Sequence, residues 1–337
     1  LLLEPSRQQL IQFSEYFGSY SKVTSDATAV PVVTDNYAIS PEGVKNAARV
    51  IVTKPGTNSD YAVIREAKSV AKTSGDKMSQ SVYLKATDAS QVGKIVNIYA
   101  YDNSYLSVEN YTLTSEWKRV EVVHTASTGT SNVEMVIGKA RGYNGGTTLE
   151  NMATDFLVYG HQFESSASYV SSYIPNHGTS GGVTRAADSC SVTGASDVIG
   201  QTEGTMFAEI NFVDNNTDSM FMTIGDGTSS NRLHIGYDKT SDWIYCNVKA
   251  AGFQQALITS SSPSDGVKKI AVAYKQNDYI VYINGVSVGA DTNANVPSLT
   301  RIDIGGYFSA GFEHSVKQNL LFKERLTNAE LATLTTL

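Results

Sequence analysis

The sequence predicts an all-β protein built as two sandwiches. Apolar residues alternate with polar ones over short runs, as in Met206, Ala208, Ile210 and Phe212, and this is the period of a strand with one buried face. Turn clusters such as Asp214-Asn215-Asn216 and Gly225-Asp226-Gly227 interrupt these runs at the short intervals typical of sandwiches. Composition agrees, with 19 Tyr and 27 Gly against 7 Pro, and no long helical pattern anywhere.

The 337 residues exceed what one ordinary core fills, so two domains are expected. Pro175 and the polar run from Asn176 to Gly182 cannot pack a core and mark the junction. The first domain is expected over residues 1–180 and the second over 181–337, an alternating strand restarting at Val183. In the first, the best strand patterns are Gln80 to Lys85, Lys94 to Tyr101, Arg119 to Thr125, Asn132 to Ile137 and Asp155 to Phe163. In the second, Met206 to Phe212, Met220 to Ile224 and Leu233 to Tyr237 are followed by Lys268 to Gly289, where Asn284-Gly285 is a two-residue turn needing positive φ at both centres. The closing segment places Thr327 three residues before Glu330, the spacing of a capping box that starts a short helix.

A net charge of -7 leaves no positive footprint for a phosphate backbone, so nucleic acid is not an expected partner. No run approaches the roughly 18 to 20 apolar residues of a spanning helix, and membrane insertion is not expected. The start LLLEPSR does not fit a signal peptide and lacks an initiator Met, so Leu1 is expected to be an internal position of a longer product. Two cysteines, Cys190 and Cys246, are too few for a disulfide scaffold and are expected as free, buried thiols, with a single bridge in the second domain as the alternative.

Catalytic patterns fail on inspection. No Glu has Asp two residues later, so the strand-borne carboxylate pair of concanavalin-like glycosidases is absent. Gly178-Thr179-Ser180-Gly181-Gly182 matches a nucleophile elbow only formally, because it lies in a polar linker and leads into a strand. The five histidines, His124, His161, His177, His234 and His314, include no pair at zinc spacing, and His124 shares a strand face with Val120 and Val122, as a satisfied core histidine would. The chain is expected to be no enzyme.

The last third resembles the concanavalin A-like, laminin-G-type jelly roll. The segments LLLEPSRQQLIQFSEYF, TLTSEWKRVEVV and GHQFESSASYVSSYIPNHGTSGGVTRAADSC, with Ser172-Tyr173-Ile174-Pro175 and Val183 to Asp188 as distinctive pieces, resemble a module of bacteriophage and prophage structural proteins. There a jelly roll similar to carbohydrate-binding modules precedes a laminin-G-like one. The resemblance implies two tandem jelly-roll β-sandwiches in a virion surface protein, as a fibre, spike or decoration, assembled in the bacterial host cytoplasm. Its partners would be other virion proteins and a host cell-surface glycan, and its state a homo-oligomer, a trimer by analogy with fibres. A purely structural capsid or tail component, a secreted bacterial adhesin and a polysaccharide depolymerase are the alternatives.

Sugar binding needs aromatic faces with amides or carboxylates beside them. Tyr101, Tyr105, Tyr143, Asn144 and Trp243 are the candidates, Tyr143 and Asn144 in a glycine-rich loop; Trp117 reads as core. No cofactor is required, but calcium is the recurring ion of both folds. Asp155 matches the position where related modules place a calcium carboxylate, and Asp214 with Asp218 forms an oxygen-rich turn that solvent alone also explains.

Overall fold

The computed structural model describes residues 4–25, 29–129, 131–143, 148–188, 190–213, 218–261, 263–305 and 315–337. The chain is all-β, and its one α-helix among the described residues is eight residues long. It divides into two compact units, Arg7–Arg185 and Ala186–Leu337, the latter joined by the residues before Arg7. Glu4 donates its N–H to Asp188 Oδ2 at 2.9 Å and accepts the Asp188 N–H at 2.9 Å, which holds that initial stretch to the second unit.

In the Arg7–Arg185 unit the strands are β1 (Arg7–Gln9), β2 (Ser21–Thr24), β3 (Val32–Ala38), β4 (Ala47–Val52), β5 (Ala62–Ser69), β6 (Lys77–Ala86), β7 (Ile95–Tyr101), β8 (Tyr105–Thr112), β9 (Lys118–Thr125), β10 (Asn132–Lys139), β11 (Thr154–Ser165) and β12 (Val183–Arg185). Two antiparallel sheets, β2-β5-β10-β7-β8 and β3-β4-β11-β6-β9, form the sandwich, and the chain crosses between them at most connections, as jelly-roll wiring requires. Period two decides which side chains meet between the sheets: Val96, Ile98 and Ala100 of β7 and Val133, Met135 and Ile137 of β10 face Val82 and Leu84 of β6 and Phe156 and Val158 of β11. The strand at Val183 pairs with β1, within this first unit.

The second unit holds β13 (Cys190–Thr193), β14 (Glu203–Phe212), β15 (Ser219–Gly225), β16 (Arg232–Asp238), β17 (Trp243–Ala250), β18 (Phe253–Thr259), β19 (Gly266–Lys275), β20 (Asp278–Ile283), β21 (Val286–Asp291), β22 (Arg301–Ile304), β23 (Ser315–Phe322) and α1 (Asn328–Thr335). Its sheets are β13-β22-β15-β16-β17-β18 and β21-β20-β19-β14-β23. Met206, Ala208 and Ile210 of β14 point into the core between them, while Phe207 on the other face joins Ala271, Ala273 and Leu331 under the helix. The turn between β20 and β21 has φ of 48° at Asn284 and 84° at Gly285, the two positive values a two-residue hairpin loop demands. Both cysteines are free. Cys190 on β13 and Cys246 on β17 have three strands between them at about 4.8 Å per step, far beyond disulfide reach. Cys246 is buried, whereas Cys190 is only partly so.

The helix start is a complete capping box, with Thr327 Oγ1 accepting the Glu330 N–H at 3.3 Å and Glu330 Oε2 accepting the Thr327 N–H at 2.8 Å. Replacing Thr327 by Ala is expected to cost this unit about 1 kcal/mol, read as a lower denaturant midpoint with unchanged slope. An unchanged midpoint would show that packing of Leu331 and Leu334 alone holds the helix.

Candidate functional site: a tyrosine-lined groove

The outer face of the sheet β2-β5-β10-β7-β8 carries an aromatic concavity. Residues opposite those in the core appear here: Val63 and Arg65 from β5, Glu134 and Val136 from β10, Tyr99 and Tyr101 from β7. Pairing aligns them in rows, since Val136 lies between Arg65 and Tyr99, and Glu134 opposite Tyr101. With Tyr61, Tyr105 and Arg141 they line a groove of about 410 Å³.

Tyr105 is the hub of the aromatic floor. Its ring centre lies 5.2 Å from Tyr99, 5.6 Å from Tyr101 and 5.3 Å from Tyr143, all at tilted or edge-on angles favoured by ring quadrupoles. At the other side the Arg141 guanidinium sits over the Tyr61 ring at 5.3 Å. Arg65 and Glu134 form an ion pair across neighbouring strands, with Arg65 a third exposed and Glu134 less so. Burial pushes the hydroxyls of Tyr99 and Tyr105 above their ordinary range, so both remain neutral donors at physiological pH.

The tip between β7 and β8 fixes where Tyr101 and Tyr105 point. Asn103 turns the chain at φ 81°, and the adjacent Asp102 carboxylate is buried. It accepts Lys72 Nζ at 2.9 Å and the Ser127 N–H at 2.9 Å, and Lys72 Nζ also donates to Thr128 O at 2.7 Å. Burial pushes the Asp102 carboxyl up, but hydrogen bonds from Ser127 and Lys72 outweigh it and hold it below the ordinary carboxylate range. The tip is thus tied to the 127–128 loop by a buried charge, with the exposed Ser104–Ser127 hydroxyl contact at 2.8 Å beside it.

Of the sequence candidates, Tyr101, Tyr105 and Tyr143 come together. Asn144 and Asp214 lie outside the described residues, as does His314. Trp243 starts β17 in the other unit. Trp117 is half-buried outside the core cluster, its indole N–H donating to Ile39 O at 3.2 Å, because the polar Thr114–Glu116 turn holds it at the sheet edge. Asp155 gives both oxygens to Arg49, with Nε at 2.8 Å from Oδ1, because β4–β11 register sets the two diagonally on one face. Asp218 Oδ1 accepts the Lys239 N–H at 3.0 Å. Among the described residues no three His, Cys, Asp or Glu side chains group as metal ligands, and no helix is long and apolar enough to cross a membrane. Tyr61, Tyr99, Arg65, Glu134 and Arg141 were not singled out from sequence. Tyr99 and Tyr101 two apart on one strand were the available signal.

No family model matches the chain, and no curated protein does. Solved structures similar to it include the CBM40 of the Ruminococcus gnavus IT-sialidase, with 13% identity over 42% of this chain and 87% of that one at TM-score 0.33. Chicken galectin 2 aligns at 14% identity over 39% and 96%, TM-score 0.28. The carbohydrate-binding module CBM66 from Bacillus subtilis aligns at 11% over 40% and 77%, also TM-score 0.28.

Proposed function

We propose that the chain is a non-enzymatic glycan-binding protein whose binding site is the tyrosine groove of the Arg7–Arg185 unit. The observation that carries this is Tyr105 packed against Tyr99, Tyr101 and Tyr143 along a floor flanked by the Arg65–Glu134 pair. Apolar ring faces accept the C–H surface of a pyranose, and a guanidinium beside a carboxylate offers donors and acceptors to its hydroxyls. Glu134 is the one carboxylate among the described lining residues and is paired, so a general acid with a second carboxylate is not assembled there. No metal is assigned to the reading, since Asp155 is occupied by Arg49.

A glycan array followed by calorimetry on the best hit tests it. Tyr105→Ala is expected to weaken binding about tenfold or more, and chelator to leave it unchanged. Retained affinity in Tyr105→Ala, or release of shortened saccharides by the purified chain, would defeat the reading.

The virion role stays with the sequence resemblance. Two of the pieces that carry it meet the initial segment within the fold: the Tyr173 hydroxyl donates to Glu15 Oε1 at 2.9 Å with Ser14 Oγ 2.8 Å away, and Val183–Arg185 pairs with Arg7–Gln9. We propose a surface fibre, spike or decoration of a bacteriophage particle, trimeric, with other virion proteins as partners. Linked copies would raise weak glycan affinity by about 10² to 10⁴. Light scattering on the purified chain and immunolabelling of particles check state and place.

A further inference from the structure

A second cavity of the Arg7–Arg185 unit, about 340 Å³, involves the opposite sheet and differs from the groove in charge. Its walls come from the stretch before β2 (Phe13, Glu15, Tyr16), from Asn36 of β3, from Asn46 just before β4, and from His177. Glu15 is the carboxylate of this wall, and every short hydrogen bond it accepts comes from a neutral group. Oε1 takes the Tyr159 hydroxyl at 3.1 Å and the Tyr173 hydroxyl at 2.9 Å, and Oε2 takes Asn46 Nδ2 at 3.0 Å. No Lys or Arg is among the described lining residues, and His177 Nδ1 stands 3.9 Å from Oε2 on a side chain 68% exposed. Burial raises the Tyr159 hydroxyl first, and Glu42 and Glu15 raise it further, so a second carboxylate adds to the same negative field.

One further acceptor of the wall is buried without a donor. Because Asn46 Nδ2 is aimed at Glu15, Oδ1 is turned the other way, and it is buried with no partner among the described residues. Turning the amide over would set oxygen against carboxylate, which fixes its orientation. Asn36 is exposed at φ 53°. Asn176, the other lining amide, is spent on Thr179 and Gly178. Tyr16, 52% exposed, stands edge-on to Phe13 at 6.2 Å and offers a ring face at the mouth.

A carboxylate with no Lys or Arg beside it, an exposed amide at Asn36 and an aromatic face at Tyr16 describe a receptor for a positive charge that also carries hydroxyls. We propose that this cavity binds a primary ammonium borne on a small hydroxylated scaffold, the chemistry of a de-N-acetylated amino sugar. It is independent of the tyrosine groove, so either site can fail alone.

Calorimetry with glucosamine hydrochloride, N-acetylglucosamine and ethanolamine on the whole chain decides it. Glucosamine is expected to bind and N-acetylglucosamine to bind about tenfold more weakly or worse, since acetylation removes the charge. Glu15→Gln should lose about tenfold. Tyr16→Ala, an exposed position that leaves folding intact, should lose roughly threefold to tenfold. Tyr105→Ala should change nothing here. Equal affinity for the two sugars, no heat with glucosamine, or unchanged binding in Tyr16→Ala overturns the proposal. Ethanolamine binding as tightly as glucosamine keeps the ammonium and overturns the sugar scaffold.

Discussion

Asp102→Ala is expected to destabilise the Arg7–Arg185 unit by about 3 to 5 kcal/mol, the range for breaking a buried ion pair. Lys72 and Asp102 have side-chain exposures of 1% and 0%, so removing the carboxylate strands an ammonium whose remaining partner is Thr128 O. It also leaves the Ser127 N–H without its acceptor. Lys72→Met should cost less, because Asp102 keeps the Ser127 and Thr128 donors that stabilise its charge. Thermal unfolding should show the order Asp102→Ala worse than Lys72→Met, with a drop of about 10 °C for the first. The double variant should lose less than the sum of the two, since no buried charge is then unpaired. Additive losses would mean that the two residues act separately and that the pair is not what holds the tip. Because Asp102 follows Tyr101 directly, the same variant should weaken glycan binding without any change on the groove floor.

How much of this was legible beforehand follows from where the information resides. Period-two patterning marked β6, β7, β9, β10 and β11 of the first unit and β14, β15 and β16 of the second, because each buries one face and the alternation is local. The Asn284-Gly285 turn and the Thr327–Glu330 box are equally local, set by residues within four positions of one another. Tyr101, Tyr105 and Tyr143 were named as separate loop aromatics, and their convergence depends on the pairing of β7 with β8 and β10, which no local pattern encodes. Arg65 and Glu134 are 69 positions apart and meet only through the β5–β10 register. Trp117 reads as core because large aromatics usually are, but a single hydrogen bond to Ile39 O and a polar turn before it keep it at an edge. Asp155 illustrates the same limit from the other side. Its place at the head of a long strand suggested an ion, while the residue that claims it, Arg49, lies on a strand distant in sequence.

Mild acid is expected to destabilise both units through their buried histidines. Burial pushes His124 down to about 4 and His161 to about 3, and in the second unit burial, then Arg232 and Lys249, pushes His234 to about 3. An unfolded histidine titrates near 6.5. Between these values the unfolded chain binds protons that the fold refuses, so the contribution is complete above about pH 6.5 and is lost as pH falls towards about 4. The carboxylates with shifts, Asp60 and Asp102 among them, are held below their ordinary value, so their contribution is lost only at lower pH. Burial keeps His124 neutral against the Leu106 carbonyl, which favours the charged ring, and hydrogen bonding decides which nitrogen carries the proton. Its Nδ1 faces Leu106 O at 3.1 Å and must donate, so a neutral ring has only an acceptor at Nε2. With Gln80 Oε1 placed 3.0 Å from that Nε2, two acceptors would oppose each other; rotating the Gln80 amide by half a turn lets its NH2 donate to His124 and its oxygen accept from His161. His161 Nδ1 then accepts the Tyr20 hydroxyl at 3.0 Å, completing a one-directional chain through the core. Protonating either ring reverses a link of this chain, at about 3 kcal/mol for His124 once its shift is fully expressed. Urea unfolding at about pH 7 and about pH 5 should show stability falling in each unit, and His234→Phe should flatten the second unit's response alone. Nitrogen NMR should find His124 protonated at Nδ1. Stability that is level across that interval, or a His124 tautomer protonated at Nε2, would overturn the account of the buried chain.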